Sequence, residues 1–289
     1  MLQMVRLIVI IMSFAAIIGC KQIDIQGADK KANDRVQARF EYSKEVSENL
    51  YAGSIMTSDS YVFYTAADPH INKTIKNLSL FNDAFRNDKN ASFGVVLGDC
   101  TDVRDNLPKY LDALAYSPDR HLYNYSVYHV LGNHDTYTNG WWSYKEYIGA
   151  SVYWFETVFP QGKDLYITLD TATGSLGSKQ TKWFKEFLSK NRSNYRHCTI
   201  LTHTNFFYTD NSQTGSGNMP IEETFALIDF LGKHNVSLVL QGHDHYREDL
   251  TFDNVRYVIL GTIRDESKAP EYLIVEASPS GIKLDWQLI

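Results

Sequence analysis

Cysteine is scarce in this chain, three residues in 289, and that scarcity excludes a disulfide framework as the source of its stability. Cys100 and Cys198 lie in segments that read as two different strands. Cys100 sits at the end of its strand, whereas Cys198 stands five residues before His203, roughly 16 Å back along the other at 3.3 Å per residue. A disulfide needs Cα atoms within about 7 Å, so both are expected as unpaired, buried thiols. Soft metal ligands are correspondingly few.

A basic excess is also missing. Lys and Arg number 28 against 34 Asp and Glu, a formal charge of −6, unlike a domain that grips nucleic acid through a cationic face. No nucleic-acid partner is expected. Nor is there a hydrophobic run long enough to span a bilayer. The longest, residues 7–18, makes roughly 18 Å of helix against a hydrocarbon core of about 30 Å. No internal repeat is present, and a 44% hydrophobic content over this length suffices for one sizeable core.

That short apolar run follows Arg6 and reads as a signal peptide. The junction Ile17-Ile18-Gly19-Cys20 resembles a bacterial lipobox, which implies a lipidated Cys20 as the mature amino terminus and a membrane-anchored protein of the cell envelope. An ordinary signal peptide with an incidental cysteine is the alternative. Lys21 leaves the membrane and leaflet open. Removing residues 1–19, which hold Arg6 and no acid, takes the charge to −7. The expected organisation is a signal peptide (1–19), an anchor, polar leash and short helix (20–58), and a catalytic domain (59–289). Within the second part, residues 27–34 are rich in Lys, Asp and Asn and read as solvated. Residues 35–50 place Val36, Phe40, Val46 and Leu50 at loosely helical spacing, for packing on the domain rather than on a membrane.

Chemistry concentrates in five short segments: Asp68-Pro69-His70, Gly98-Asp99, Gly132-Asn133-His134-Asp135, His203, and Gly242-His243-Asp244-His245. Each follows an apolar, β-prone run, at residues 61–67, 93–97, 127–131, 199–202 and 236–240. Carboxylate and neutral imidazole suit borderline divalent ions such as Mn, Fe, Zn or Co. If the chain is extended, Asp68 with His70, and His243 with His245, face the same way and each pair chelates. Sites in open α/β sheets form where strand ends let loops converge. Helices are expected over 71–86, 107–115, 181–190 and 221–233.

In order and spacing these segments resemble the calcineurin-like metallophosphoesterase family, with its D-x-H, G-D, G-N-H-D/E, H and G-H-x-H elements, over residues 59–289. The resemblance implies an α/β two-sheet sandwich flanked by helices, with a binuclear centre at the strand ends. It places Asp68, His70 and His245 on one metal, Asn133, His203 and His243 on the other, and Asp99 between them. It makes His134 a residue that faces the leaving group, with Asp135 either orienting it or serving the turn. Asp102 stands where purple acid phosphatases of the superfamily carry a tyrosine ligand. That speaks against a tyrosinate-ligated ferric site and leaves Asp102 as a partner of the ligands or a helix cap.

The implied activity is hydrolysis of a small phosphate mono- or diester by a metal-bound hydroxide, since two ions about 3.5–4 Å apart lower the pKa of water from 15.7 to roughly 7 and clamp both oxygens of the displacement. The monoester and diester readings stay open, as does a metal-stabilised binding scaffold of the same fold. For substrate contacts, residues 136–156 crowd Tyr137, Trp141, Trp142, Tyr144, Tyr147, Tyr153, Trp154 and Phe155 directly after the fourth motif. They are either a wall that stacks on a ring or the core of a packed insertion. Arg247 and Arg264 are candidate phosphate clamps, with surface ion pairing the competing role. The Gly-, Ser- and Asn-rich residues 205–219 read as a functional loop and a candidate lid.

Overall fold

The computed structural model describes residues 25–47, 52–102, 104–114, 127–207 and 219–289. The expected signal peptide and Cys20 lie outside them. Among the described residues no helix is long and apolar enough to cross a membrane.

Among the described residues, twelve strands form two sheets. The larger sheet uses β1 (Ala52–Ile55), β5 (Tyr153–Phe159), β6 (Gly162–Thr168), β7 (Cys198–Leu201), β8 (Leu238–Gln241), β9 (Glu248–Phe252) and β10 (Val255–Ile259), in the order β1-β5-β6-β7-β8-β10-β9. The smaller has β2 (Tyr61–Ala66), β3 (Ala91–Val96), β4 (Val127–His129), β11 (Glu271–Ser278) and β12 (Gly281–Leu288), in the order β12-β11-β2-β3-β4. In it β2, β3 and β4 are parallel neighbours, with Ala66 opposite Val96 and Val96 opposite His129. In the larger sheet β6, β7 and β8 are parallel, with Leu201 opposite Leu240. All five motif-bearing strands therefore end together.

The sheets face each other across an aromatic core. Phe155 stacks between Tyr128, at 3.6 Å between ring centroids, and Tyr166, at 4.7 Å, while Phe63 stacks on Phe93 at 4.8 Å. Phe184 and Leu188 of α5 (Gly177–Asn191) and Leu227 and Leu231 of α6 (Ile221–Lys233) cover the outer face of the larger sheet. Leu78 and Phe81 of α2 (Lys76–Asn87) and Leu111 of α3 (Leu107–Ala113) cover that of the smaller. The result is the expected α/β sandwich in four layers. Cys100 and Cys198 are free and buried within it.

Three helix boundaries differ from expectation, one of them α5, which starts at Gly177 rather than residue 181. α2 starts at Lys76 rather than residue 71, because Ile71 pairs with Thr101 in an isolated β-bridge and the Asp265 carboxylate accepts the N–H groups of Lys76 and Asn77 at 3.0 and 2.7 Å. The cap comes from almost 190 residues away, where local sequence cannot show it. The first helix, α1 (Ile25–Ser47), takes in residues 27–34, expected as a leash. Their Ala and Lys are good helix formers, and the following turns dock. Val36 and Phe40 are buried, and Phe40 lies against Trp183 of α5 at 5.8 Å.

Candidate metal centre

The strands stop short of the site, and sharp turns take over. Asp68, His70, Asp99, His243 and His245 all adopt left-handed backbone, with φ of 53°, 43°, 50°, 76° and 55°. Such conformations cost of order 1–3 kcal/mol each in a non-glycine residue. The extended geometry expected for D-x-H and H-x-H is therefore absent, and with it the chelation of one ion by His243 and His245. A left-handed residue at both positions sends the two rings to different clusters. Glycines make room. A Cβ on Gly132 would lie 2.1 Å from the Asp99 nitrogen, and one on Gly98 would lie 2.6 Å from His203 Nδ1.

The turns bring the predicted residues together in two buried groups. In the first, His70 Nε2 and His245 Nε2 face each other at 2.9 Å, with Asp68 Oδ1 3.6 Å from His245 Nε2 and Asp99 Oδ2 3.5 Å from His70 Nε2. In the second, the Asn133 amide oxygen lies 2.9 Å from His203 Nε2 and 3.0 Å from His243 Nδ1, and those two nitrogens are 3.2 Å apart. Asp99 Oδ1 is 3.4 Å from His203 Nε2. One carboxylate thus turns an oxygen to each group.

Hydrogen bonds around the rim set which ring nitrogens face inward. The Leu97 carbonyl can only accept, so His203 donates from Nδ1, 2.8 Å away, and turns Nε2 to the centre. His70 Nδ1 lies 2.5 Å from Asp102 Oδ1, with the same consequence. Asp68 accepts the His243 backbone N–H at 3.0 and 3.1 Å, tying the first motif to the last.

Electrostatics favour cations here. Burial pushes Asp68 up to about 7. Burial, then the charge of His203, depresses His243 to about 3, while burial and then His70 depress His245 to about 4. Desolvation alone would lower His203, but Asp99 and Asp68 outweigh it and raise it to about 10. Burial also acts to raise Asp99, yet His203 and His70 hold it well below the usual carboxylate range. The protein alone balances these carboxylates by holding a proton on a ligand imidazole. It still leaves His243 Nε2 buried with no partner. Two imidazole nitrogens 2.9 Å apart can share one proton at most, whereas a divalent cation satisfies both lone pairs. The two clusters of buried His and Asp are positioned to coordinate two divalent metal ions.

His134 stands at the edge, with its side chain 31% exposed. Its Nδ1 is 2.9 Å from Asp102 Oδ1 and its Nε2 points inward, 4.0 Å from Asp99 Oδ2. Asp102 is thus a partner shared by His70 and His134. It does not cap α3, whose N-cap is Asn106. Asp135, expected to orient His134, does not touch that ring. Its buried carboxylate accepts the N–H groups of Cys100, Thr101 and Gly132 at 2.8, 3.4 and 2.9 Å, lashing the second motif to the third. Its contacts are therefore with the backbone of two loops rather than with the imidazole.

The candidate substrate contacts divide. Arg247 pairs with Glu271 at 3.2 Å and lies over the Trp286 ring, and Arg264 pairs with Glu266 at 3.3 Å. Both make surface ion pairs, and the charge of Arg264 adds to the depression of His245 that burial and His70 begin. Trp141 and Trp142 instead line a cavity of about 1030 Å³ that Asn133 and His243 also face. Tyr144 and Phe155 are core. Tyr137, which accepts the Asn133 amide at 2.8 Å on its hydroxyl, belongs to the cavity. Most of the loop expected over 205–219 lies outside the described residues. The sequence pointed to Tyr137 only as one of a crowd, and Arg35, which also lines this cavity, escaped notice because nothing local links it to the motifs.

A model of the calcineurin-like phosphoesterase family matches residues 61–247. No curated protein matches the chain. Among solved structures, similar folds include GAP50, the anchor in the inner membrane complex of Plasmodium, at 15% identity and a TM-score of 0.60, covering 79% of this chain and 84% of that one. Purple acid phosphatase PPD1 from yellow lupin gives 12% identity and 0.59, covering 80% and 52%. A putative 5'-nucleotidase from Staphylococcus aureus gives 14% and 0.51, covering 80% and 54%. The chain spans about half the length of the last two, and at these identities the likeness is one of fold.

Proposed function

The chain belongs to the calcineurin-like phosphoesterase family, which matches nearly two thirds of it, and from that premise we propose that it is a two-metal hydrolase of phosphate mono- or diesters. The observation that carries this reading is Asp99, whose Oδ2 and Oδ1 lie 3.5 and 3.4 Å from an imidazole of each cluster. Asp68, His70 and His245 would hold one ion and Asn133, His203 and His243 the other, with Asp99 shared. Ions of this kind supply Lewis acidity and a hydroxide at neutral pH.

The protein's own groups then handle orientation and the proton. His134 presents Nε2 toward the clusters and keeps Nδ1 on Asp102, so an imidazolium there is held in place by a carboxylate and can protonate a departing alkoxide. Such an acid contributes about 10²- to 10⁴-fold. Asp102, by accepting from His70 as well, couples the posture of the acid to that of a ligand. Asp135 fixes the two loops on which Asp99 and Asn133 ride.

The test is turnover of a panel of mono- and diesters by metal-free protein given Mn, Zn, Fe or Co separately. Hydrolysis restored by at least one metal, with two ions bound per chain, supports the proposal. Two bound ions with no turnover on any ester would favour a metal-stabilised scaffold.

For location, we propose export and a lipid anchor on Cys20, supported by Gly19-Cys20 at the end of a segment too short to span. Mass spectrometry of the mature amino terminus decides it. An unmodified peptide running intact through Gly19 and Cys20 in wild-type membranes would exclude lipoprotein processing.

A further inference from the structure

The lining of the cavity beside the second cluster includes Arg35 of α1, a helix that lies outside the family-matched residues 61–247. Two anchors fix this helix. Arg39 grips Asp170 bidentately, Nε to Oδ2 at 2.6 Å and Nη2 to Oδ1 at 2.9 Å, with both residues buried. One turn on, Ser43 Oγ accepts the N–H groups of Ser151 and Val152 at 2.9 and 3.2 Å. The helix also holds both cavity walls. Asp170 Oδ1 accepts the N–H of Ala172 at 3.1 Å, where one wall begins, and the Tyr42 ring meets Trp141 of the other edge-on at 5.6 Å.

Arg35 precedes Arg39 by four residues, on the same helix face and about 6 Å along the axis. It reaches the cavity, where it is exposed and makes no ion pair or hydrogen bond with a described residue. Arg39 spends its charge on Asp170. Arg35 faces no carboxylate among the described residues that line the cavity. Around it, Tyr137 and Trp142 expose 46% and 61% of their surface, and Lys145 Nζ steadies the Trp142 ring at 4.4 Å from its centroid. About 1030 Å³ is far more than a phosphate group fills. It suits a whole small molecule, for which sites run to about 1,000 Å³.

We infer that Arg35 is a specificity-determining residue that binds a second negative charge on the leaving group, so that the preferred substrates are phosphate esters whose leaving group carries both a flat ring and an anionic substituent. A guanidinium free of any carboxylate among the described residues that line the cavity matches a carboxylate or phosphate in two parallel hydrogen bonds, and the exposed rings receive the flat portion. This inference rests on the phosphoesterase reading above.

The test uses two aryl phosphates, the esters of 4-hydroxyphenylacetate and of 4-hydroxyphenylacetamide, alike in size and in leaving oxygen but different by one charge. With metals bound, KM is expected about fivefold lower for the carboxylate, the size of one partly solvated ion pair, with little difference in kcat. Arg35→Ala should bring the KM ratio close to one, and Arg35→Lys should restore part of it. Binding of the matching non-hydrolysable phosphonates, followed by tryptophan quenching, should give the same ratios without turnover. A wild type indifferent to the charge, or an Arg35→Ala variant that keeps the full ratio, overturns the inference. Phosphonate binding with the expected ratio but no hydrolysis of either ester would instead overturn the hydrolase reading and leave the Arg35 contact standing.

Discussion

Replacing Asp102 by Asn keeps the size of the side chain and one acceptor oxygen, but removes the charge that His70 Nδ1 and His134 Nδ1 both face, at 2.5 and 2.9 Å. Both rings meet the same oxygen, Oδ1, so an amide oxygen there can still accept from each, but as a neutral acceptor without the charge that strengthens both hydrogen bonds. For His70, losing the partner that orients a ligating imidazole costs about 10- to 100-fold in metal affinity. For His134, a hydrogen bond to a charged group contributes about 1.5–3 kcal/mol, which is roughly 10- to 100-fold in kcat wherever the leaving oxygen needs a proton. The two effects separate by assay. Metal affinity comes from competition with a chromophoric chelator, and the acid role from kcat over a series of esters at saturating metal, where alkyl esters should suffer and nitrophenyl esters should not. A folded Asp102→Asn protein with unchanged metal affinity and an unchanged dependence on the leaving group would refute the idea that this carboxylate organises both rings.

Asp99→Ala removes the carboxylate that turns one oxygen to the inward Nε2 of His70 and the other to that of His203, and metal analysis should find one or both ions lost and turnover down by several orders of magnitude. Two tightly held ions would refute the shared role. His134→Asn should keep both metals and lower kcat about 10²- to 10⁴-fold for alkyl esters, and an equal loss on aryl esters would mean that His134 stabilises phosphoryl charge instead. Arg39→Ala leaves Asp170 buried without its cation, which costs about 3–5 kcal/mol. Chemical denaturation should show it, and a loss below 1 kcal/mol would mean that α1 is held by Ser43 and its apolar contacts alone.

Ligand chemistry and strand polarity are local properties, so five motifs at five strand ends announced a metal site, while the two-sheet layers and the division of ligands between two ions came from the family resemblance those motifs carry. What could not be read followed from distant contacts. Nothing near Lys76 announces that Asp265 will cap α2, and nothing in Gly-Asn-His-Asp says that its last residue will bind the Cys100 and Gly132 backbones while Asp102 takes the imidazole. The split of His243 from His245 had a different cause. Alternation along a strand holds only while the chain is extended, and φ values of 76° and 55° at these residues end that condition. The aromatic crowd of residues 136–156 was ambiguous because ring content alone does not distinguish Tyr144, which is core, from Trp142, which faces the cavity.

The ligands of the first cluster come from positions as far apart as His70 and His245, a separation of 175 residues. No fragment that stops short of β8 can assemble either cluster, so during synthesis the ions must arrive late, after nearly the whole sandwich has closed. Contacts this remote slow the search for the native state, and metal capture then draws the final step forward, because binding energy that exists only in the assembled site is folding energy. In a cell, the metal content of this protein would therefore report on completed folding, and a chain cut after β7 would be released empty.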